Sequence, residues 1–549
     1  AVLSVINKLQ TYKGCILADS VGLGKTFTAL GVIKYYELCN RYVLVLCPKK
    51  LSDNWMVYRN RQANNPFADK PFRYDVLYHT DLSRKRGKTV TGIDLETFNW
   101  GSYDLVVIDE SHNFRNGEDS ATVAKDDGTG GTENRYQRLL NHVIKGGFDD
   151  TKVLMLSATP VNNRFRDLRN QLALAYQGDP DGWSEKLGLS ANVEDVFRNA
   201  QGVFNMWSKL PAEERSTEAL TDSLDFDFFK VLDQVTVARS RKHIQRYYDV
   251  NAIGPFPRRN DPISIYPKLS TLPNSTTYSE IANSLDLLKL AVYIPSHYLL
   301  PSARGKYEDK NGNLTTSGRE TGVRKLMAAN LLKRLESSVS SFRLTLERVF
   351  SVMNQCLNTI EVFKAEGDVT AKVDASSFGK GFDLDYEDAD FMDFSVGGKT
   401  QFDLRDLDWK SWEKDVRNDA QTIEGLLEMI RGIDAEHDDK LLRLERLIAE
   451  KVNKPINPGN KKVIVADTAN YLYEHVSEFA FRELGLGVAE VTGSGGGKTN
   501  VDGVRGDLSE ILTCFSPVSK DRDKVYPRLH GKDIDILIAT DCISEGQNL

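Results

Sequence analysis

The chain has 549 residues, 40% hydrophobic and 27% charged, with a formal net charge of −7. That length exceeds one core and predicts two to four domains of ordinary globular composition, while the acidic balance excludes a surface that coats nucleic acid throughout and leaves room for a local basic track. No run of eighteen apolar residues, no opening signal segment and no CxxC pair among Cys15, Cys39, Cys47, Cys356, Cys514 and Cys542 occurs, so no membrane attachment, zinc site or disulfide framework is expected and a reducing, cytoplasmic setting fits.

In chain order, an apolar periodic stretch, AVLSVINKL, leads into the first of six runs with one grammar: an apolar strand ending in a small or polar cluster. GCILADS, YVLVLCPKK, YDLVVIDESH and KVLMLSATP fall within residues 14–160, and KKVIVADTAN and IDILIATD come after residue 460. Continuous Val, Ile and Leu runs are typical of parallel strands buried on both faces. Their polar C-terminal ends lie where open α/β sheets place ligands. The fold class expected is α/β, with two parallel-sheet lobes separated by a large helical insertion: residues 1–180, 181–455 and 456–549. The chain stops at SEGQNL, and both ends read as cuts through domains, so the second lobe is expected to be incomplete.

Within the insertion, apolar residues run from Met327 through Leu331, Leu335, Val339, Phe342, Leu346, Val349, Met353, Cys356 and Ile360 to Phe363 in steps of three or four. That spacing predicts one buried stripe on a helix of roughly 40 residues, about 60 Å long, acting as a structural brace. A second helical stretch is expected at roughly 415–452. Between them, residues 380–420 hold twelve Asp or Glu against six Lys or Arg; the segment reads as a solvated linker or as an acidic docking or autoinhibitory element. Basic residues cluster in RKRGK (Arg84 to Lys88), in ARSRKHIQRYY (Arg239, Arg241, Lys242, Arg246, Tyr247) and at Arg258 and Arg259. Each reads as backbone contact to nucleic acid or as solvated charge.

The chemistry lies at the strand ends. In LADSVGLGKT, Gly22 and Gly24 free the backbone to wrap a phosphate. Lys25 supplies a point charge for the β and γ phosphates, and Thr26 offers a hydroxyl to Mg²⁺ at a helix start that favours anions. Asp19 stands where the strict phosphate-loop pattern has glycine. In VVIDESH a strand delivers two acids: Asp109 of the kind that holds Mg²⁺, and Glu110 placed to orient or deprotonate an attacking water. Ser157 and Thr159 of LSATP are small hydroxyls at a further strand end, able to report the γ phosphate; Ser-Ala-Thr-Pro also reads as a plain turn.

In this order the motifs resemble those of the superfamily-two helicases, most closely the Swi/Snf-type ATPases, and their wording is like bacterial members. DSVGLGKT is similar to motif I, VLVLCPKKLSDNW to motif Ia, VVIDESHNFRN to motif II, LSATPVNN to motif III, KKVIVADTANYLYEH to motif IV and DILIATDCISEGQNL to motif V. In that family an Asp at the first loop position is normal. The resemblance implies two RecA-like lobes with ATP in the cleft between them. Asp19, Gly22, Leu23, Gly24, Lys25 and Thr26 would bind ATP together with Glu545 and Gly546, and Thr26 and Asp109 would hold Mg²⁺. Glu110 would activate water, and His112, Ser157 and Thr159 would couple nucleotide state to nucleic acid. Pro48, Lys49, Thr540, Arg239, Arg241 and Lys242 would lie on the nucleic acid.

The resemblance further implies an ATP-dependent translocase on duplex DNA that does not separate strands. The alternatives are an ATP-gated clamp or remodeller of a DNA-bound protein such as RNA polymerase, and a strand-separating helicase. The glutamine motif that reads adenine has no convincing counterpart, Gln10 lying too close to the loop. Motif VI, with its paired arginines, would follow Leu549, so the chain as given is expected to bind ATP far better than it hydrolyses it.

Overall fold

The computed structural model describes residues 1–61, 64–117, 133–147, 151–161, 164–248, 256, 260–307, 316–366, 372–374, 401–466, 469–492 and 496–540. The chain divides into two compact units, one built on Ala1–Phe256 and one beginning at Pro257.

The first unit is organised on a six-stranded sheet. Its strands are β1 (Gly14–Leu17), β2 (Val43–Cys47), β3 (Asp75–Tyr78), β4 (Leu105–Asp109), β5 (Lys152–Leu156) and β6 (Thr236–Val237). The spatial order is β3-β2-β4-β5-β1-β6, and every pairing is parallel. The four strands read from their apolar runs are all present and fully buried at their centres. Burial on both faces is why they show no polar alternation. One face carries the helices Val2–Tyr12 and Lys25–Leu38; the other carries Phe165–Tyr176, Pro180–Leu187, Val193–Trp207 and Phe226–Val235. Gly14 permits the closest of these packings, since a Cβ there would stand 2.1 Å from Cβ of Ala175.

The expected lobe boundary at residue 180 is therefore too early. Trp183, Leu187, Val193, Val196, Phe197, Phe228, Val231 and Val235 join the core of this sheet. β6 pairs with β1 through Ile16–Thr236 and Leu17–Val237.

The second unit holds a helical part and a smaller sheet. The predicted stripe is buried from Met327 to Ile360, packed with Trp412, Val416 and Ile423. It is carried by two helices rather than one, Thr316–Ser337 and Val339–Glu366. The break falls at Ser338, whose hydroxyl accepts the N–H of Ser341 at 3.0 Å, so a serine that competes for backbone hydrogen bonds caps a new helix while the apolar period continues. The stretch expected at 415–452 likewise consists of two helices, Trp409–Ile430 and Asp439–Asn453, the second capped by the Asp438 carboxylate on Lys440 and Leu441 N–H at 3.0 and 3.1 Å.

The acidic segment needs correction over its described part. Residues 380–400 lie outside the described residues, but 401–420 are folded. Strand β7 (Lys372–Asp374) pairs antiparallel with β8 (Gln401–Asp403), and Phe402, Leu404, Leu407, Trp412 and Val416 are buried. The acids there are engaged internally. Asp406 accepts from Lys306 and Tyr307, both at 2.6 Å. Asp415 accepts from Lys289 at 2.9 Å and Tyr298 at 2.8 Å, and buried Asp419 accepts the backbone N–H groups of Lys289 and Ala291 at 2.8 and 2.7 Å. Acids tied to partners on a folded surface, with Asp419 buried beneath, do not form a solvated linker.

The smaller sheet contains β9 (Val463–Ala466), β10 (Val488–Val491), β11 (Lys498–Thr499) and β12 (Ile536–Ala539), in the order β11-β10-β12-β9 with only β10–β11 antiparallel. Helix Ala469–Leu484 covers one face and Leu508–Phe515 the other. The two strands expected here, β9 and β12, are adjacent and parallel. Among the described residues no helix is long and apolar enough to cross a membrane.

Candidate nucleotide site

In the larger sheet β4, β5 and β1 are neighbours, and their register places Asp109, Leu156 and Leu17 level with one another. Three loops therefore leave the sheet side by side at its C-terminal edge, the outer two about 10 Å apart across two strand spacings. These loops carry the glycine-lysine stretch, the acid pair and the serine-threonine turn.

The loop after β1 turns through Gly22 (φ 79°) and Gly24 (φ 75°), left-handed conformations that side chains disfavour. Gly24 caps the helix Lys25–Leu38, so backbone N–H groups and the positive end of that helix face the loop. The ammonium of Lys25 donates to the Asp19 carbonyl at 3.0 Å. Asp19 itself is fully buried and forms a double hydrogen-bonded ion pair with Arg239: Nε lies 3.1 Å from both carboxylate oxygens, and Nη2 donates to Oδ2. Arg239 Nη2 also reaches the hydroxyl of Thr28 at 3.4 Å. Arg239 was expected on nucleic acid; its fork instead meets Asp19, at the start of the loop after β1.

At the end of β4, the Asp109 carboxylate accepts the indole N–H of Trp55 at 2.9 Å and the backbone N–H of Glu110 at 3.1 Å. Burial raises its pKa, opposed by those two hydrogen bonds and by the charge of Lys25. Glu110 is buried and left-handed at φ 49°, a conformation uncommon outside glycine and typical of constrained sites. Its carboxylate stands 3.4 Å from Nδ1 of His112. The same nitrogen lies 3.2 Å from Oγ of Ser157, and Ser157 Oγ accepts the N–H of Thr159 at 3.2 Å. The three residues read as a coupling set are thus joined, and joined to Glu110. Gln171, fully buried, bridges the same two loops: its Oε1 accepts from Ser111 at 2.8 Å and its Nε2 donates to the carbonyl of Pro160 at 2.7 Å.

Of the residues expected on nucleic acid, Pro48 and Lys49 begin the turn after β2, next to β4, and Lys49 is exposed. Arg241 and Lys242 open the helix Arg241–Tyr247, Lys242 exposed and Arg241 half-buried with its guanidinium over the Phe256 ring. In RKRGK, Arg84 is engaged by Asp81 and Arg86 by Glu96. Thr540 follows β12 in the second unit, its N–H on the Val491 carbonyl at 3.2 Å. Glu545, Gly546, Arg258 and Arg259 lie outside the described residues. Trp55 and Gln171 were not singled out from sequence. The tryptophan stands within the motif Ia stretch, while nothing near Gln171 marks it.

A second glycine-rich stretch ending in Lys-Thr closes at Lys498 and Thr499. It opens no helix: those two residues form β11, and Lys498 bonds Asn470 at 2.7 Å. Without a helix N-terminus to face an anion, a lysine-threonine pair is no phosphate site.

Residues 1–179 match the family model described as the SNF2-related domain. Nucleoside triphosphatase I of Amsacta moorei entomopoxvirus is 28% identical over 170 residues, 30% of this chain and 24% of that protein. RNA polymerase-associated protein RapA of Vibrio parahaemolyticus is 27% identical over 241 residues, 40% of this chain and 22% of that protein. The chain thus spans about a quarter of the length of these curated relatives. Among solved structures, the Pyrococcus furiosus Hef helicase domain aligns with 99% of this chain and 86% of its own at 12% identity, with a TM-score of 0.34. The Sulfolobus solfataricus SWI2/SNF2 ATPase core in complex with dsDNA aligns with 98% and 75% at 12% identity, TM-score 0.28. Residues 1–179 are thus similar to the SNF2-related domain, and they hold the first four of the six strand-end motifs.

Proposed function

We propose that the protein is an ATPase that uses hydrolysis to move along duplex DNA. The observation that carries this reading is the convergence of Lys25, Asp109, Glu110, His112 and Ser157 on the loops of three adjacent strands. In this reading the turn of Gly22 to Thr26 wraps the phosphates and Lys25 neutralises them. Thr26 and Asp109 would hold Mg²⁺, since their oxygens are the hard donors that ion takes and a single carboxylate suits an ion that keeps waters. When bound, the ion neutralises charge developing on the phosphate oxygens. Trp55 keeps Asp109 in one orientation. Glu110, paired to His112, takes the proton of the attacking water, and a shift of Ser157 and Thr159 on the phosphates passes through His112 to that acid. Lys49 and Lys242, exposed and basic, supply contacts to the DNA backbone.

A second reading is supported by the relatives named RNA polymerase-associated protein RapA: the ATPase remodels a protein bound to DNA, RNA polymerase in particular. The discriminating experiment follows ATP hydrolysis by the protein with no nucleic acid, with single strands and with duplexes of increasing length, each with and without RNA polymerase, together with displacement of a labelled strand. The translocase reading expects stimulation that grows with duplex length and no displaced strand. Stimulation by single strands alone, or efficient displacement, supports a strand-separating helicase. Stimulation that ignores duplex length and requires polymerase supports the remodeller.

A further inference from the structure

We infer that Arg239 is a positioning residue of the nucleotide site, one that acts through Asp19 to leave Lys25 available for phosphate. The inference rests on the phosphate-loop reading of residues 19–26. Asp19 opens that loop with a fully buried carboxylate, and Lys25 already touches the same residue through its carbonyl at 3.0 Å. An unpaired anion at that place competes with a triphosphate for the one lysine of the loop and repels the incoming charge. The Arg239 fork meets both Asp19 oxygens and extends to Thr28 on the first turn of the following helix. The backbone is tied at the same level: Ala18 N–H donates to the Val237 carbonyl at 2.7 Å and Ser20 N–H to the Arg239 carbonyl at 3.0 Å. The arginine therefore neutralises Asp19 and pins the loop between β1 and the strand beside it, which is how an acid is tolerated where a small residue suffices in a strict phosphate loop. Arg241, two residues on, has Nη2 only 3.4 Å from where a Gly22 side chain would begin, so this basic cluster faces the phosphate loop. A planar bidentate guanidinium does this where an ammonium cannot.

The test measures equilibrium binding of labelled Mg-ATP without DNA, and of duplex DNA without nucleotide, for Arg239→Gln, the double variant Asp19→Asn/Arg239→Gln, and Lys25→Ala. Arg239→Gln should weaken nucleotide binding at least about tenfold, the scale of one lost hydrogen bond to a charged group, and leave duplex affinity unchanged. The double variant, which removes the competing anion, should recover most of the loss; a purely structural role would also lower the duplex affinity and the melting temperature of Arg239→Gln, since the buried carboxylate is left unpaired. Unchanged nucleotide affinity in Arg239→Gln, no rescue in the double variant, or a loss confined to duplex binding overturns the inference. Full nucleotide binding by Lys25→Ala instead refutes the phosphate-loop reading beneath it. Should Arg239→Gln lose its cooperative melt, Arg239→Lys is measured in the same way, and unaltered nucleotide affinity there also overturns the inference.

Discussion

Replacing Trp55 by Phe isolates one interaction. The indole is fully buried, stacks edge-on against Tyr74 with centroids 6.2 Å apart, and donates to Asp109 at 2.9 Å. Phenylalanine keeps an aromatic ring in that packing and removes only the donor and part of the volume. The lost hydrogen bond is to a carboxylate, worth about 1.5–3 kcal/mol. Because the indole N–H is one of the forces holding the Asp109 pKa down against burial, its loss pushes that pKa further up. In the proposed role of Asp109 as a Mg²⁺ ligand, a partner that orients it matters by about 10- to 100-fold in metal affinity or activity. Trp55→Phe should therefore raise the Mg²⁺ concentration for half-maximal ATP hydrolysis by that factor, with a larger deficit as pH falls and Asp109 protonates. The assay is a Mg²⁺ titration of hydrolysis at two pH values, with melting temperature as the control for packing. An unchanged Mg²⁺ requirement in a variant that melts normally would refute the claim that Trp55 serves Asp109.

Glu320 is buried, with its carboxylate on the N–H and hydroxyl of Ser296, and burial pushes its pKa up from 4.5 to about 7. A raised folded-state pKa stabilises the fold fully below the unfolded value and loses that contribution as pH rises through 7, about 3 kcal/mol for a shift of this size; Glu320→Gln should melt higher than the parent at pH 8–9 and lose the advantage near pH 5, and a pH-independent gap between the two would contradict this. Phe342→Ala, at a fully buried position of the stripe, should lower unfolding free energy by about 3–5 kcal/mol in urea titrations, and a loss under 1 kcal/mol would show that the stripe is not a core. Gly24→Ala, at φ 75°, should cost about 1–2 kcal/mol and weaken nucleotide binding; a variant that binds as the parent does would mean the left-handed turn is not needed.

Apolar runs carried most of the fold. GCIL, VLVLC, LVVID and KVLML are buried on both faces of a parallel sheet, and that environment leaves an unbroken hydrophobic signature. β3 is four residues beginning at a half-exposed Asp75, and β6 is two, too short for any periodicity to register. The Met327–Ile360 stripe was legible because helical period survives a break, and the break at Ser338 was not, since one capping serine does not interrupt the spacing of its neighbours. The acids of 401–420 were counted as solvent-facing charge because their partners, Lys289, Tyr298, Lys306 and Tyr307, lie about 100 residues away in sequence. Within the candidate site, the stretches Gly24-Lys25-Thr26 and Asp109-Glu110 stood out because their residues are consecutive in sequence, and the fold sets the strands that carry them in one sheet. Arg239 was misread for the same reason as the acids, its partner Asp19 being 220 residues distant.

In the proposed function Lys25 binds nucleotide while Glu110 turns it over, a division open to equilibrium binding of labelled Mg-ATP and single-turnover hydrolysis, with saturating duplex DNA, on Lys25→Ala, Glu110→Gln and the parent chain. Lys25→Ala should lose most of its affinity, while Glu110→Gln should bind as the parent does yet hydrolyse at least about 100-fold more slowly, the lower range for removing a general base. Equal loss of affinity in both variants, or hydrolysis by Glu110→Gln at the parent rate, would contradict it.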